Sequence, residues 1–239
     1  MLRSILKRAI RSLGFDLHRY RPASSDDARF IAMLAAHQVN LIFDIGANQG
    51  QFGHSLRNIG FRGRIVSFEP LTAARKILLE ASRKDPLWEI APRAAIGNQD
   101  GEINLHVAGN SESSSVLNML DNHVNAAPES AYVGTEKSPL RRLDTLAAHY
   151  VHSDSRLFMK IDTQGYEAQV LEGGPSLLGK AIGLQLELSL IPLYEEQPLF
   201  DEMLVKLKVI GFQLWDMSPV FVDPRSSRLL QVDATFFRG

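Results

Sequence analysis

The sequence predicts one α/β domain built on a mostly parallel sheet, and three observations carry that prediction. Short apolar, β-branched runs alternate with helix-length amphipathic runs from residue 41 to residue 210, the pattern left by strand–helix–strand crossovers. The two runs that follow, QLWDMSPVFVD and LLQVDATFFR, are joined only by a short turn-like link containing Pro224, Ser226 and Ser227, which predicts an antiparallel pair. The 239 residues suit a single domain with a substantial core and are few for two. We divide the chain into an N-terminal helical extension over 1–38 and the α/β domain over 39–239.

The elements follow in order. Leu2, Ile5, Leu6, Ala9, Ile10 and Leu13 fall at helical spacing, and Gly14 is a stop signal. RYRPASSDD is a linker, and Ser25, Asp26 and Asp27 cap a helix running through His37. LIFDIGA (41–47) is a strand, and a helix covers about 50–59. RIVSFEP (64–70) is a second strand ended by Pro70, and 71–84 is helical. WEIAPRAAIG (88–97) reads as one strand, and EINLHVAG (102–109) as an alternating strand after the Asp100-Gly101 turn. Residues 110–140 are polar and irregular. DTLAAHY is a short helix, RLFMKID (156–162) a buried strand, 165–178 a helix, IGLQLELSL (182–190) a strand and PLFDEMLVKLKVIGF a helix. In such sheets ligands bind beyond the carboxyl ends of the strands, so the residues just after each strand are the ones to inspect.

Composition narrows the function. Lys and Arg total 26 against 27 for Asp and Glu, so no global charge draws the chain to nucleic acid. Without cysteine there are no disulfides, thiolate nucleophiles or Cys-based metal sites. No apolar run reaches the ~20 residues of a membrane span, and charges break the N-terminus too often for a signal-peptide core. The chain is therefore expected to be cytoplasmic.

Four strand ends carry chemistry. The first runs into Asp44-Ile-Gly46-Ala47-Asn48-Gln-Gly50. A dinucleotide fingerprint needs G-x-G-x-x-G, but Asn48 and Gln51 stand at its second and third glycines. A D-x-G-x-[GN]-x-G loop fits better, with glycines that let backbone approach a ligand. Asp44 suits an amino group and would repel a pyrophosphate. The second strand ends in Phe68-Glu69-Pro70, where an acid can accept from both ribose hydroxyls. The third ends in Ala94-Ala95-Ile96-Gly97; Ala95 and Ile96 either line an adenine slot or simply pack the core. The fourth ends in Lys160-Ile-Asp162-Thr-Gln164-Gly165-Tyr166-Glu167. Asp162 emerges at the carboxyl edge, and Lys160 shares its strand parity and can pair with it. Glu167 is expected to serve the dipole of the next helix. Glu187, inside an apolar strand, is a base, a metal ligand or a partner for Lys160.

With these motifs in place, the sequence resembles the FkbM family of class I methyltransferases. The matching segments are FDIGANQGQF, VSFEP, AAIGNQDGEINL, RRLDTL, MKIDTQGYEAQVLEG and LQLELSLIPLY, in order over roughly 40–195. The resemblance implies a Rossmann-like class I methyltransferase fold, with helices on both faces of the sheet and an antiparallel C-terminal hairpin. It implies S-adenosylmethionine as donor and O-methylation of a sugar, glycan or secondary metabolite. Asp44, Gly46, Ala47, Asn48, Gly50, Glu69, Pro70, Ala95 and Ile96 are then the cofactor-binding set, and Asp162, Glu187 and Lys160 the catalytic set. Gln164 stands where many relatives have Glu, which argues against a charged role there. Ser113, Ser114 and Ser115 either face the pocket, as in relatives, or cap a helix.

The expected base is Asp162, then Glu187, then His106 or His123. Mg²⁺ held by Asp162 and another carboxylate is a further option, with no metal ligand assigned. The competing readings are an NAD-dependent oxidoreductase, disfavoured by the loop spacing, and a non-catalytic donor-binding scaffold. A nucleic-acid substrate is not expected, because neither a basic groove nor an Asn-Pro-Pro-Tyr-type motif is present. Arg3, Lys7, Arg8, Arg11, Arg19 and Arg21 make residues 1–21 basic as well as amphipathic. That segment either lies on an anionic membrane surface, at the inner face of the membrane, or packs on the domain or on a second subunit in a homodimer.

Overall fold

A computed structural model describes residues 7, 8, 10–16 and 19–239. The amphipathic segment expected over 1–21 lies in good part outside the described residues; within it, residues 7, 8 and 10–12 are helical. Among the described residues no helix is long and apolar enough to cross a membrane.

The domain opens with α1 (Asp26–Ala36), whose first turn is capped by Ser25 Oγ accepting from Ala28 N. Then come β1 (Leu41–Ile45), α2 (Gln51–Ile59), β2 (Arg64–Phe68), α3 (Thr72–Ser82) and β3 (Trp88–Ile90). A small insertion follows: β4 (Ala95–Gly97), β5 (Gly101–Ala108), α4 (Asp121–Ala126) and β6 (Tyr132–Arg142). The chain returns through α5 (Leu143–Ala147) to β7 (Leu157–Ile161), α6 (Glu167–Glu172), α7 (Pro175–Lys180), β8 (Gly183–Ser189), α8 (Phe200–Val209), β9 (Phe212–Val222) and β10 (Leu229–Arg238).

Seven strands form the main sheet in the order β3-β2-β1-β7-β8-β10-β9. The first five are parallel, and β10 runs antiparallel to both β8 and β9. This is the Rossmann-like class I methyltransferase arrangement that the sequence predicts. β1 and β7 are buried along their whole length, as central parallel strands require. Alternation sorts their residues. Leu41, Phe43, Ile45, Met159 and Ile161 enter one core, and Ile42 and Phe158 the other, with Leu34, Leu56 and Trp88. On that second face the pattern turns polar toward the carboxyl ends, with Asp44, Lys160, Gln185 and Glu187.

The structure corrects three expectations and adds detail to a fourth. Residues 88–97 are two strands in different sheets: Pro92 has no N–H to continue the ladder, and β4 pairs instead with β6. The region 110–140 is not irregular throughout. It holds α4 and the eleven-residue β6, which is the centre of the three-stranded sheet β4-β6-β5. The helix expected over 165–178 breaks at Gly173-Gly174-Pro175, where a Cβ on Gly173 would lie 1.9 Å from the Gly97 carbonyl oxygen. The C-terminal pair is antiparallel as expected, but β10 is internal and β9 alone forms the edge.

Candidate active site

The carboxyl ends of β1, β2 and β7 converge on two adjoining cavities. The first, of about 590 Å³, is lined by Glu69, Pro70, Ala95 and Ile96 and by the loop around Ser114 and Ser115. The second, of about 710 Å³, is lined by Asp44, Ala47, Phe52, Lys160, Glu187 and Val220. Gly46, Asn48, Asp162 and Gln164 line both. The expected donor-binding and catalytic residues therefore come together, with one exception. Gly50 faces neither cavity: its φ is +95°, and a Cβ there would meet Leu78 and the Trp88 ring at 3.0–3.2 Å. It is a helix-entry and packing glycine. Gly46, at φ +85°, is required by a close approach of backbone, for a Cβ would lie 1.8 Å from the Asp162 carbonyl oxygen.

Asp44 is fully buried. Ser67 Oγ donates to its Oδ2 at 3.0 Å, and Trp88 Nε1 in turn donates to Ser67 Oγ. Its Oδ1 has no partner. Burial lifts the Asp44 pKa to about 6, with Lys160 and Ser67 pulling the other way. Glu69 is buried too, and each oxygen holds one backbone N–H, from Asn48 and from Leu71, both at 2.7 Å. Burial outweighs those bonds and lifts its pKa to about 7.

Asp162 is more accessible than Asp44, Glu69 or Glu187, its side chain 25% exposed. Lys160 Nζ lies 2.6 Å from Oδ2, and Gln164 Nε2 donates to Oδ1 at 2.8 Å. The expected Lys160–Asp162 pair is therefore formed. Burial works against the Lys160 charge, but Asp162, Asp233 and Asp44 together raise its pKa, so it stays an ammonium. Gln164 is the hub. It sits at φ +54°, its Nε2 also donates to Glu187 Oε2, and its Oε1 accepts from Tyr194 Oη at 2.7 Å. A neutral amide can bridge two carboxylates in this way; a glutamate would add a third charge.

Glu187 does not bond to Lys160. Its Oε2 accepts from Gln164 and from Gln231 Nε2 at 3.2 Å, and burial, then Asp162 and Asp233, push its pKa well up. Both Asp162 oxygens already carry a donor, an unfavourable start for the Mg²⁺ option. Among the described residues no group of three His, Cys, Asp or Glu side chains is placed to hold a metal ion.

The structure bears on three further readings. Glu167 lies in the first turn of α6, but its Oε1 is a staple for the preceding loop, accepting from Thr163 N (2.9 Å), Thr163 Oγ1 and Gly165 N. No helix follows Ser113–Ser115 directly. Instead Ser115 Oγ donates to the Gln164 carbonyl at 2.7 Å, and Ser114 Oγ accepts from Ala108 N. The two histidines line neither cavity: His106 stacks on Tyr132, and His123 is buried beside Tyr194 and Phe221 with its pKa lowered to about 4 by burial. Sequence reasoning missed Tyr194, Gln231, Gln185 and Asp233. The signal for the last three was polar residues at every second position of two otherwise apolar strands.

A family model described as the methyltransferase FkbM domain matches residues 44–214. No curated protein sequence matches the chain. Among solved structures, the chain is similar to magnesium protoporphyrin IX methyltransferase from Synechocystis PCC 6803 with bound SAM, at 10% identity and TM-score 0.47, covering 89% of this chain and 78% of that one. It is also similar to precorrin-6y C5,15-methyltransferase from Geobacter metallireducens GS-15, at 12% identity and TM-score 0.44, covering 89% and 87%.

Proposed function

The chain belongs to the FkbM methyltransferase domain family, and on that premise we propose that it moves the methyl group of S-adenosylmethionine to a hydroxyl of a sugar, glycan or secondary metabolite. The observation that carries this reading is the position of Asp162, a partly exposed carboxylate on the wall common to both cavities. The first cavity is read as the donor cleft and the second as the way in for the acceptor.

The residues present fit the donor. Ala95, Ile96 and Leu105 offer an apolar wall for a purine. Each Glu69 oxygen keeps a second lone pair for a ribose hydroxyl. The orphaned Asp44 Oδ1 can accept from an ammonium. When bound, S-adenosylmethionine supplies an electrophilic methyl group. The protein's share is then to orient the acceptor and to take its proton. The Asp162 carboxylate receives the hydroxyl proton as general base, while Lys160 and Gln164 hold that carboxylate in one place. Ser114 and Ser115, on the loop over the cleft, help to exclude water.

Calorimetry tests the donor assignment. Binding of S-adenosylmethionine and S-adenosylhomocysteine without binding of NAD is the expected result, and binding of NAD alone overturns it. Mass spectrometry of surface glycans from a deletion strain tests the acceptor class, with loss of an O-methyl mark expected.

A further inference from the structure

A recess of about 580 Å³ lies beside the second cavity, with Phe52 on the wall of both. Its other walls come from α1, α2 and strands β8, β9 and β10. Among the described residues no Lys, Arg or His lines it, whereas Asp26, Asp27, Asp216 and Asp233 do. Arg29 reaches two of these, Asp26 at 2.7 Å and Asp216 at 2.6 Å. The Asp233 carboxylate has neither a hydrogen bond nor an ion pair among the described residues. Next to it, Gln185 is buried and donates Nε2 to Thr235 Oγ1, yet its Oε1 accepts nothing.

A buried unpaired acceptor such as Gln185 Oε1 is costly unless a ligand brings a donor to it, and the half-buried Asp233 sets a carboxylate beside it. A carboxylate and an amide oxygen ask for N–H donors carrying positive charge. The rings of Phe30 and Phe52, 6.2 Å apart, line the recess, and Lys160 Nζ already stands 5.3 Å from the Phe52 centroid, so an aromatic contact to a further cation falls to Phe30. The recess is also electrically continuous with the reacting groups. Asp233 is the register partner of Glu187, and its charge acts on Lys160.

We propose that this recess binds a protonated amine of the methyl acceptor, which makes the acceptor a hydroxylated amine such as an amino sugar. The proposal rests on the acceptor reading given above. It excludes an acidic glycan, which would meet Asp233 and the neighbouring aspartates of the recess with like charge.

Glucosamine, glucose and glucuronate share a hydroxyl framework and differ in charge, so NMR titration of the full chain with each one tests the site. Glucosamine is expected to bind about fivefold or more tightly than glucose, with glucuronate weakest. Asp233→Asn keeps the shape and breaks no contact, and it should erase the preference. Ser218→Lys places a built-in ammonium opposite Asp233 across the β9–β10 ladder and should do the same. Equal binding of the three sugars, tighter binding of glucuronate, or a preference that survives both variants overturns the proposal. S-adenosylhomocysteine titrated into the same samples separates the two readings. Sugar discrimination without nucleoside binding keeps this site and discards the donor assignment, and the reverse discards this site alone.

Discussion

Gly46 and Asp162 meet through bare backbone: a Cβ on Gly46 would lie 1.8 Å from the Asp162 carbonyl oxygen. The ends of β1 and β7 are pinned there, with Asp162 N donating to the Ile45 carbonyl at 2.9 Å. Gly46→Ala should therefore act on the fold before it acts on any ligand. It forces a left-handed residue and parts two strand ends, a cost of about 2–4 kcal/mol. Thermal denaturation without ligand should show a lower Tm, and a wild-type melting curve would refute the clash.

Asp162→Asn keeps both neighbouring side chains within reach while removing the proton acceptor. It should bind donor normally and lose at least about a hundredfold in kcat. Glu187→Gln replaces a carboxyl whose pKa burial, Asp162 and Asp233 push up, which makes it a poor holder of charge, and it should leave most of the rate. Should the first variant work and the second fail, Glu187 is the base.

Glu69→Ala should weaken S-adenosylhomocysteine binding by about 1–3 kcal/mol, the value of hydrogen bonds to a buried carboxylate. The wild-type affinity should also depend on pH. Without ligand, burial holds the Glu69 pKa at about 7, and hydroxyl donors favour the ionised form. Calorimetry from about pH 6 to about pH 8 should therefore show affinity rising, and a flat profile would contradict the contact.

Glu167 offers a separate test on stability. Burial sets its folded pKa at about 7, against 4.5 for an ordinary glutamate. Between those values the folded state binds more protons than the unfolded one. The stabilising contribution is thus complete below about pH 4.5 and lost as pH rises through about 7. Glu167→Gln keeps an acceptor for Thr163 N and Gly165 N without the charge. Its Tm should gain on the wild type as pH rises from about 5 to about 8. Glu167→Ala strands both N–H groups and should cost about 1–3 kcal/mol at about pH 5, a cost that shrinks as pH rises through about 7.

The main sheet was legible because its central strands are buried on both faces, so LIFDI, RIVSF and LFMKI read as apolar runs, and the alternating leucines of GLQLELS mark a further strand. The acids at their carboxyl ends were legible for the same reason: a charge that close to such a run needs an explanation. β6 was not legible. YVGTEKSPLRR carries Gly134 and Pro139 and has no clean alternation, and only its tertiary partners β4 and β5 make it a strand. The break between β3 and β4 is likewise a change of sheet, which local propensity does not register. Gln164, Glu187, Tyr194 and Gln231 come from four separate segments, so their shared network exists only after folding.

The insertion of β10 between β8 and β9 has a consequence for biosynthesis. β9 leaves the ribosome before β10, and β10 is its sole neighbour in the sheet. Until β10 follows, the eleven residues of β9 present two open edges, with Trp215, Met217, Val220 and Val222 among their apolar side chains. That interval favours strand-to-strand association between nascent chains, and holding by a chaperone would shorten it. Asp233 and Thr235 arrive on the same late strand, so the acidic recess beside the second cavity closes only when the sheet does.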